Sequence, residues 1–297
     1  LIMKKLVLFF MLVSGISQAQ ENLVVQEMDR SFSMGNKNAF VIDIPQAQLK
    51  KVQSNWKTYL KHQSKRPAAS KDGETTLPFG IIPALGNDSM TVFSIVSPDG
   101  TKIKLSAFFM LKDSSFLSTA VNGEKSAAVN NFVRQFGIKE YKNAVNDEWL
   151  EEKNKLVILE KKVSYLEDEN EDFRKNIRNN ERAISRKKDD IVTNEQEQSL
   201  KSTSILQQKT YLNNYTGTEE QKKKEEKLLK QFTKEKEKLQ DSKESMLKKI
   251  DDLESENRGI DKLIEKNNEE IIPDAKKQVS LQKGIVEAVM TKMNNIK

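Results

Sequence analysis

The sequence contains no cysteine and only one histidine, His62, among 297 residues. The lack of cysteine excludes disulfide bonds, thiolate nucleophiles, cysteine-ligated metals and lipid attachment through a thiol. A lone histidine excludes a multi-histidine site within one chain, and its place at a predicted helix end indicates an exposed side chain. There is no phosphate-binding glycine loop, nucleophile elbow or histidine pair on a helix. The sequence therefore predicts a non-enzymatic protein without a cofactor or a metal.

Aromatic residues are also scarce, at 7%, whereas charged residues make up 32% of the chain. This balance fits a long solvated helix with a modest core better than one large globule. Lysine and arginine exceed aspartate and glutamate only by 50 to 44, and the two signs are mixed along the chain. Mixed signs are typical of solvated helix faces, so no nucleic-acid partner is expected.

The longest pattern covers residues 149–271, where apolar side chains recur at steps of three and four. This period keeps one face of two helices together along a supercoil. A polar cluster at 213–218 interrupts the pattern, and its Gly217 suits a helix C-terminus. We therefore expect an antiparallel coiled-coil hairpin over residues 138–272, with its turn near 213–218.

Four asparagines occupy positions of the apolar seam of this hairpin. They are Asn170, Asn180, Asn257 and Asn267. One antiparallel register places the first opposite the fourth and the second opposite the third. The register one heptad away would set Asn170 against Ile260 and Asn180 against Ile250, which is costly for buried polar groups. Since asparagine at a seam can fix register, we expect these four residues to specify it. One pair counts against this register, because Lys201 would lie opposite Lys236.

The N-terminal part, residues 20–137, predicts an α+β head with one antiparallel sheet and one or two helices packed on it. Short alternating apolar runs between turn residues predict the strands. Pro45 is expected to open a helix whose Trp56 faces the core. Residues 63–74 are interpreted as a polar linker, and Asn122-Gly123 is expected to lead into the helix that continues into the hairpin.

Residues 273–297 predict a final amphipathic helix. Pro273 is expected to end the second arm, because proline removes a donor and clashes with the preceding turn. If the hairpin register continued past Pro273, Leu281 would meet Leu156 and the tail would return toward the head. A helix lying on a membrane surface is the alternative. Association of two hairpins is left open, since a second seam could form from Leu150, Val157, Leu228 or Ile272.

Residues 1–19 have the pattern of a signal peptide. A short basic start at Met3-Lys4-Lys5 precedes an apolar run from Leu6 to Ile16, and Ser17-Gln18-Ala19 gives a small-x-small cleavage site. The run is short for a membrane span. We expect cleavage after Ala19 and a periplasmic or secreted protein, with no transmembrane helix after cleavage. An uncleaved anchor is the alternative.

The layout formed by Met3 to Ala19, Asp88-Ser89-Met90 and the seam from Trp149 resembles uncharacterised exported proteins of Bacteroidetes with a small α+β head and a C-terminal coiled coil. The resemblance implies export and this order of domains, but no reaction. Asp88-Ser89-Met90 is similar to the short O-glycosylation acceptor motif of exported Bacteroidetes proteins, which would make Ser89 a glycosylation site.

Three functional hypotheses follow from these patterns. The first is a non-enzymatic exported coiled-coil protein that acts as a binding or structural module in the cell envelope, through a protein partner or self-association. The second is a coiled-coil adaptor or regulator of a cell-wall or surface enzyme. The third is an enzyme or small-ligand head that uses carboxylates.

Overall fold

The computed structural model describes residues 22–297. The expected signal peptide at 1–19 lies outside the described residues. The described chain forms two compact units, namely a head unit of residues 22–158 with Val279–Lys297, and a hairpin unit of Leu159–Gln278. The expected fold class, an α+β head and a long antiparallel helical hairpin, is confirmed.

The head unit contains one six-stranded antiparallel sheet with the strand order β1-β2-β6-β5-β4-β3. The strands are β1 (Val25–Phe32), β2 (Gly35–Pro45), β3 (Ala69–Lys71), β4 (Glu74–Ile81), β5 (Ser89–Asp99) and β6 (Lys102–Met110). The interpretation of 63–74 as a plain linker was wrong, because β3 lies inside it. Asp72 and Gly73 both have positive φ, of 49° and 83°. This Asp-Gly pair suits the tight hairpin turn that joins β3 to β4.

Pro45 does not open a helix, contrary to the prediction. It is the last residue of β2, opposite Lys102 of β6. Proline is tolerated at such a strand end, where the ladder of hydrogen bonds stops. The first helix, α1 (Leu49–Ser64), begins four residues later.

One face of the sheet is covered by α1 and by the first turns of α2 (Gly123–Asn213). Trp56 of α1 is fully buried, as expected from its helical spacing. Its Nε1 donates to the Ser94 Oγ at 2.7 Å, and that hydroxyl donates to the Thr75 carbonyl at 3.2 Å. The buried indole N–H is therefore satisfied, and its polar partner is satisfied in turn.

Helix α2 is continuous through the expected boundary at 137/138, and the head unit extends to residue 158. Gly137 lies where α2 packs closely on β2. A Cβ at this position would lie 2.3 Å from the Cδ1 of Ile42, so only glycine lets α2 approach β2 this closely.

The hairpin unit pairs the later part of α2 with α3 (Glu219–Lys266). Thr218 begins α3 in a capping box, in which its hydroxyl accepts from the Gln221 N–H and the Gln221 side chain accepts from the Thr218 N–H. The dry part of the seam is narrow. Its main apolar cluster consists of the buried side chains of Ile184, Ile191, Ile250 and Leu253.

Pro273 does not end the second arm as expected. A π-helical turn, Asn267–Ile271, leads directly into α4 (Ile272–Asn295), with Pro273 as its second residue. Within the π-turn the Ile272 N–H bonds to the Asn267 carbonyl, five residues back. The usual helical bonding is thus already interrupted where the proline lacks a donor, so the chain continues.

The π-turn adds one residue to the seam. Buried positions on either side of it are Ile260, Asn267, Ala275, Gln282, Val289 and Ile296. The spacing is seven residues everywhere except from Asn267 to Ala275, where it is eight. Consequently Leu281 does not face inward as expected. It is 37% exposed, whereas Gln282 is buried and donates to the Glu152 carbonyl at 3.0 Å.

The end of α4 packs within the head unit. Val289 and Ile296 belong to the same apolar cluster as Tyr141 and Trp56, with Trp149 at its margin. The apolar stripe of α4 is thus covered by protein rather than left free for a membrane surface.

Candidate functional site

The most distinctive polar arrangement is a buried asparagine layer in the hairpin unit. Asn170 and Asn267 are 2% and 6% exposed. The Asn267 Nδ2 donates to the Asn170 Oδ1 at 2.9 Å and to the Glu169 Oε2 at 3.2 Å. The Asn170 Nδ2 donates to the Asn268 Oδ1, also at 2.9 Å. Both buried amides are therefore paired, so the layer avoids the cost of unsatisfied polar groups.

A second layer lies further along the same seam. The Asn180 Nδ2 donates to the Asn257 Oδ1 at 2.9 Å, and both side chains are half-buried. The structure thus brings the four predicted asparagines together in the two expected pairs. Glu169 and Asn268, which complete the first layer, were not anticipated because neither occupies a seam position. That the layers fix the register remains a proposal.

Lys201, the residue that counted against this register, has an acidic and an aromatic neighbour on the other arm. Its Nζ lies 2.7 Å from the Glu235 Oε2 and 4.9 Å from the centre of the Phe232 ring, and both contacts offset repulsion by Lys236. A second cross-arm ion pair joins the Lys243 Nζ to Glu195 at 2.6 Å. Because these charges are partly exposed, the ion pairs help to orient the two arms but add little to the stability of the hairpin.

The carboxylates of the head are mostly held by neighbours. Asp88 accepts from Lys125 and Asp99 accepts from Lys104, each at 2.6 Å. These contacts lower the pKa of both aspartates through the hydrogen bond and the adjacent positive charge. Within the described residues, no group of three histidine, aspartate or glutamate side chains is placed to hold a metal ion.

Glu140 is the one carboxylate of the head that combines deep burial with a cavity. It is 3% exposed and accepts from the Asn55 Nδ2 at 2.8 Å and the Asn143 Nδ2 at 3.2 Å. Burial raises its pKa, although the two amide donors and the charge of Lys139 oppose that shift. The adjoining cavity, of about 50 Å³, has room for only one or two water molecules. The arrangement suits a structural polar contact between α1 and α2 better than a ligand site.

Ser89 is the first residue of β5, where it pairs with Ile81 of β4. Its side chain is half-buried, and its neighbour Asp88 is exposed. Glycosylation at Ser89 stays a prediction.

Sequence reasoning missed Phe79 of the head. Its φ is 49°, which is unusual for a bulky residue, and 63% of the side chain is exposed. It lies at the irregularity between Leu77 and Gly80, where the β4–β5 register shifts. Bulges commonly re-aim a side chain, and an exposed aromatic in a strained conformation is a candidate contact for a partner. The only sequence signal was the Pro78-Phe79-Gly80 interruption of a strand.

The residues proposed for a second seam divide into three groups. Leu150 and Val157 are exposed, Leu228 is half-buried and Ile272 is buried. They therefore do not form one common outer face.

No helix in the described part of the chain combines the length and apolar character needed to cross a bilayer. No protein-family model and no curated protein matches the sequence. Among solved structures, the Smc head domain with a coiled coil and joint from Pyrococcus yayanosii is similar over 92% of this chain and 68% of that one, at 13% identity. Its TM-score is 0.29, which is too low to support any inference about family or function.

Proposed function

We propose that this is an exported, non-enzymatic coiled-coil protein that acts as a binding or structural module in the cell envelope. The observation that carries the proposal is the hairpin held by two asparagine layers. Asparagine pairs are retained in coiled coils where one register matters more than maximum stability. A fixed register fixes which side chains lie next to one another on the outer surface of the hairpin. We take this as a sign that a partner contacts that surface.

The hairpin suits a spacer or an assembly surface. Its second arm, α3, has 48 residues and is therefore about 70 Å long at 1.5 Å per residue. Its dry seam is confined to a few isoleucine and leucine side chains. Most other side chains of both arms face solvent, where they are available to a partner.

Export is supported by the sequence of residues 1–19 alone. The head supports the binding role through Phe79, whose exposed ring could anchor a protein partner. A second candidate function is a coiled-coil adaptor or regulator of a cell-wall or surface enzyme. Exposed apolar side chains on the hairpin favour this alternative, among them Leu200 and Leu206.

The test combines location and partner capture. Fractionation of the native cell, with N-terminal sequencing of the purified protein, should find it outside the cytoplasm and beginning at Gln20. Affinity capture from envelope extract should then compare the unchanged chain with Phe79→Ser and with Leu200→Glu/Leu206→Glu. A partner lost only with Phe79→Ser indicates head binding, and an enzyme lost only with the double variant indicates the adaptor.

A cytoplasmic location would refute the envelope role. A catalytic activity abolished by one substitution in the head would refute the non-enzymatic role. His62→Ala is a suitable control for both captures, because this exposed side chain lies at the end of α1, in neither proposed contact.

A further inference from the structure

An uncharged outer stripe runs along α2 near its C-terminal end. It consists of Val192, Gln196, Ser199, Leu200, Thr203, Leu206, Gln207, Thr210 and Tyr211. All nine side chains are exposed. The four large ones, Val192, Leu200, Leu206 and Tyr211, are exposed by 54%, 71%, 66% and 51%.

The outer stripe lies on the side of α2 opposite α3. With 100° per residue, its members fall within a sector of about 140° of the helix surface. The seam residues of the same segment, such as Ile191 and Asn194, are buried and lie about half a turn away. The outer stripe is therefore left over after the hairpin has formed, within the part of the chain that the structure describes.

Scattered apolar residues are normal on a protein surface. The outer stripe differs because its members are aligned over about 28 Å, and because the hairpin around it is highly charged. The outer face of α3 shows the contrast. It carries exposed lysines at Lys223, Lys227, Lys230, Lys234 and Lys238. An aligned, uncharged helix face in such a context marks an interaction surface.

We propose that the outer stripe binds a second copy of this chain, antiparallel and across a two-fold axis at Thr203. An isologous contact brings the same patch together from both copies, so it must be self-complementary. An uncharged stripe meets this condition because neither copy presents a charge that the other would repel or desolvate. A charged partner would instead lose solvation with no opposite charge to meet.

The two-fold axis also gives a consistent set of neighbours. Leu200 of one copy lies level with Leu206 of the other, and the two Thr203 residues meet at the axis. Gln196 then lies level with Thr210, so amide meets hydroxyl. No layer between these positions contains a charged member of the outer stripe. The proposal goes beyond the proposed function by naming the occupant of one face of the hairpin.

The contact is short, so its affinity is low. Two of the four large apolar side chains of each copy, Leu200 and Leu206, lie between Gln196 and Thr210, so the interface falls at the small end of specific protein interfaces. Sedimentation equilibrium of the purified protein, from about 5 to about 300 µM, should show a concentration-dependent dimer. Leu200→Glu/Leu206→Glu should weaken association by at least about 10-fold, since it places four carboxylates in an apolar contact. Both side chains are exposed, so circular dichroism should show an unchanged fold.

The matched control is Lys227→Glu/Lys234→Glu, which makes a larger charge change on the outer face of α3. It should leave the dimer unchanged. A protein that stays monomeric throughout the concentration range overturns the proposal. So does a dimer that the α3 variant weakens as much as the outer-stripe variant does.

Cysteine crosslinking tests the axis, because the natural chain has no cysteine to compete. Thr203→Cys should form a disulfide-linked dimer several-fold more readily than Lys209→Cys, an exposed control outside the outer stripe. Mixing Leu200→Cys chains with Leu206→Cys chains should give mainly the mixed dimer. Preferential Leu200→Cys homodimers would indicate a parallel contact and contradict the proposed axis.

Capture of a different protein by Thr203→Cys in the native envelope, with no second copy, would likewise overturn it. The sedimentation and crosslinking measurements on purified protein do not depend on where the protein resides or what the head binds. Failure of the dimer and failure of the envelope role are therefore separate results.

Discussion

Inserting one alanine after Asp274 tests whether the spacing through the π-turn sets which side of α4 is buried in the head unit. The insertion lengthens the interval from Asn267 to Ala275 from eight residues to nine and rotates the following helix by about 100°. The inward positions then pass from Val289 and Ile296 to Ala288 and Asn295. The inserted alanine takes the buried position of Ala275, so the rotation beyond it is the perturbation.

The cost follows from the burial of the displaced side chains. Val289 and Ile296 are 4% and 3% exposed. Each apolar side chain of this size contributes about 1.5–3 kcal/mol when fully buried, so losing both costs about 3–6 kcal/mol. Gln282 would also lose its bond to the Glu152 carbonyl. The loss is a large fraction of the roughly 5–15 kcal/mol that stabilises a typical domain.

Urea unfolding followed by tryptophan fluorescence measures this loss, because Trp149 lies at the margin of the affected cluster. The control Glu270→Ala keeps the spacing and should change stability by less than about 0.5 kcal/mol. Deleting the exposed Glu270 from the insertion variant restores the eight-residue interval and should recover most of the loss. If the insertion costs no more than Glu270→Ala, the spacing through the π-turn does not set the phase of α4.

Three further experiments test separate parts of the fold. Asn257→Leu should preserve helical content by circular dichroism, yet cysteine pairs placed one heptad out of register should crosslink more readily; unchanged crosslinking would argue against a register role. Gly137→Ala should destabilise the protein by about 1–3 kcal/mol through overpacking, whereas Gly259→Ala, with open space around it, should stabilise by up to about 1 kcal/mol in the same thermal unfolding assay. In the folded state, burial raises the pKa of Glu140 above its ordinary 4.5, so the folded protein keeps this proton longer than the unfolded chain. The stability that this residue contributes therefore falls as the pH rises from its pKa in the unfolded chain to its pKa in the folded protein. In urea unfolding measured between pH 4 and 7, Glu140→Gln should remove this fall in stability. A pH profile identical to that of the unchanged protein would contradict this.

The hairpin was predictable because its period and its polar layers agree. Heptad spacing predicts a seam whether or not a partner helix is known, and the cost of burying an amide against isoleucine selects one register. The pairing of Asn170 with Asn267 could therefore be predicted from their positions in the seam. The contact with Asn268 could not be predicted, because this residue lies off the seam.

The π-turn could not be read from the sequence. Pro273 ordinarily ends a helix, and a one-residue insertion within a charged segment leaves no apolar pattern that reveals it. The shift was visible only in the tail, where Val289 and Ile296 fit a seam displaced by one residue. The prediction that Pro45 opens a helix was wrong because proline is as acceptable at a strand end as at a helix start.

The outer stripe of α2 could have been predicted from the sequence, but the apolar period of the seam on the same helix is the stronger pattern. A search for a second period, in opposite phase, would have found Val192, Leu200 and Leu206 among uncharged neighbours. Phe79 lay out of reach. Its exposure depends on a bulge and a positive φ, which only the folded strand specifies.

The two asparagine layers also restrict how the hairpin can change length during evolution. An insertion in one arm alone would slide every layer beyond it out of alignment, so both arms must gain or lose residues together. Seven residues per arm is the smallest step that keeps the same face inward in both helices. Relatives of this protein should therefore differ in hairpin length by about 14 residues or multiples of that number, shared equally between the arms. Those changes should fall between the turn and the nearest asparagine layer.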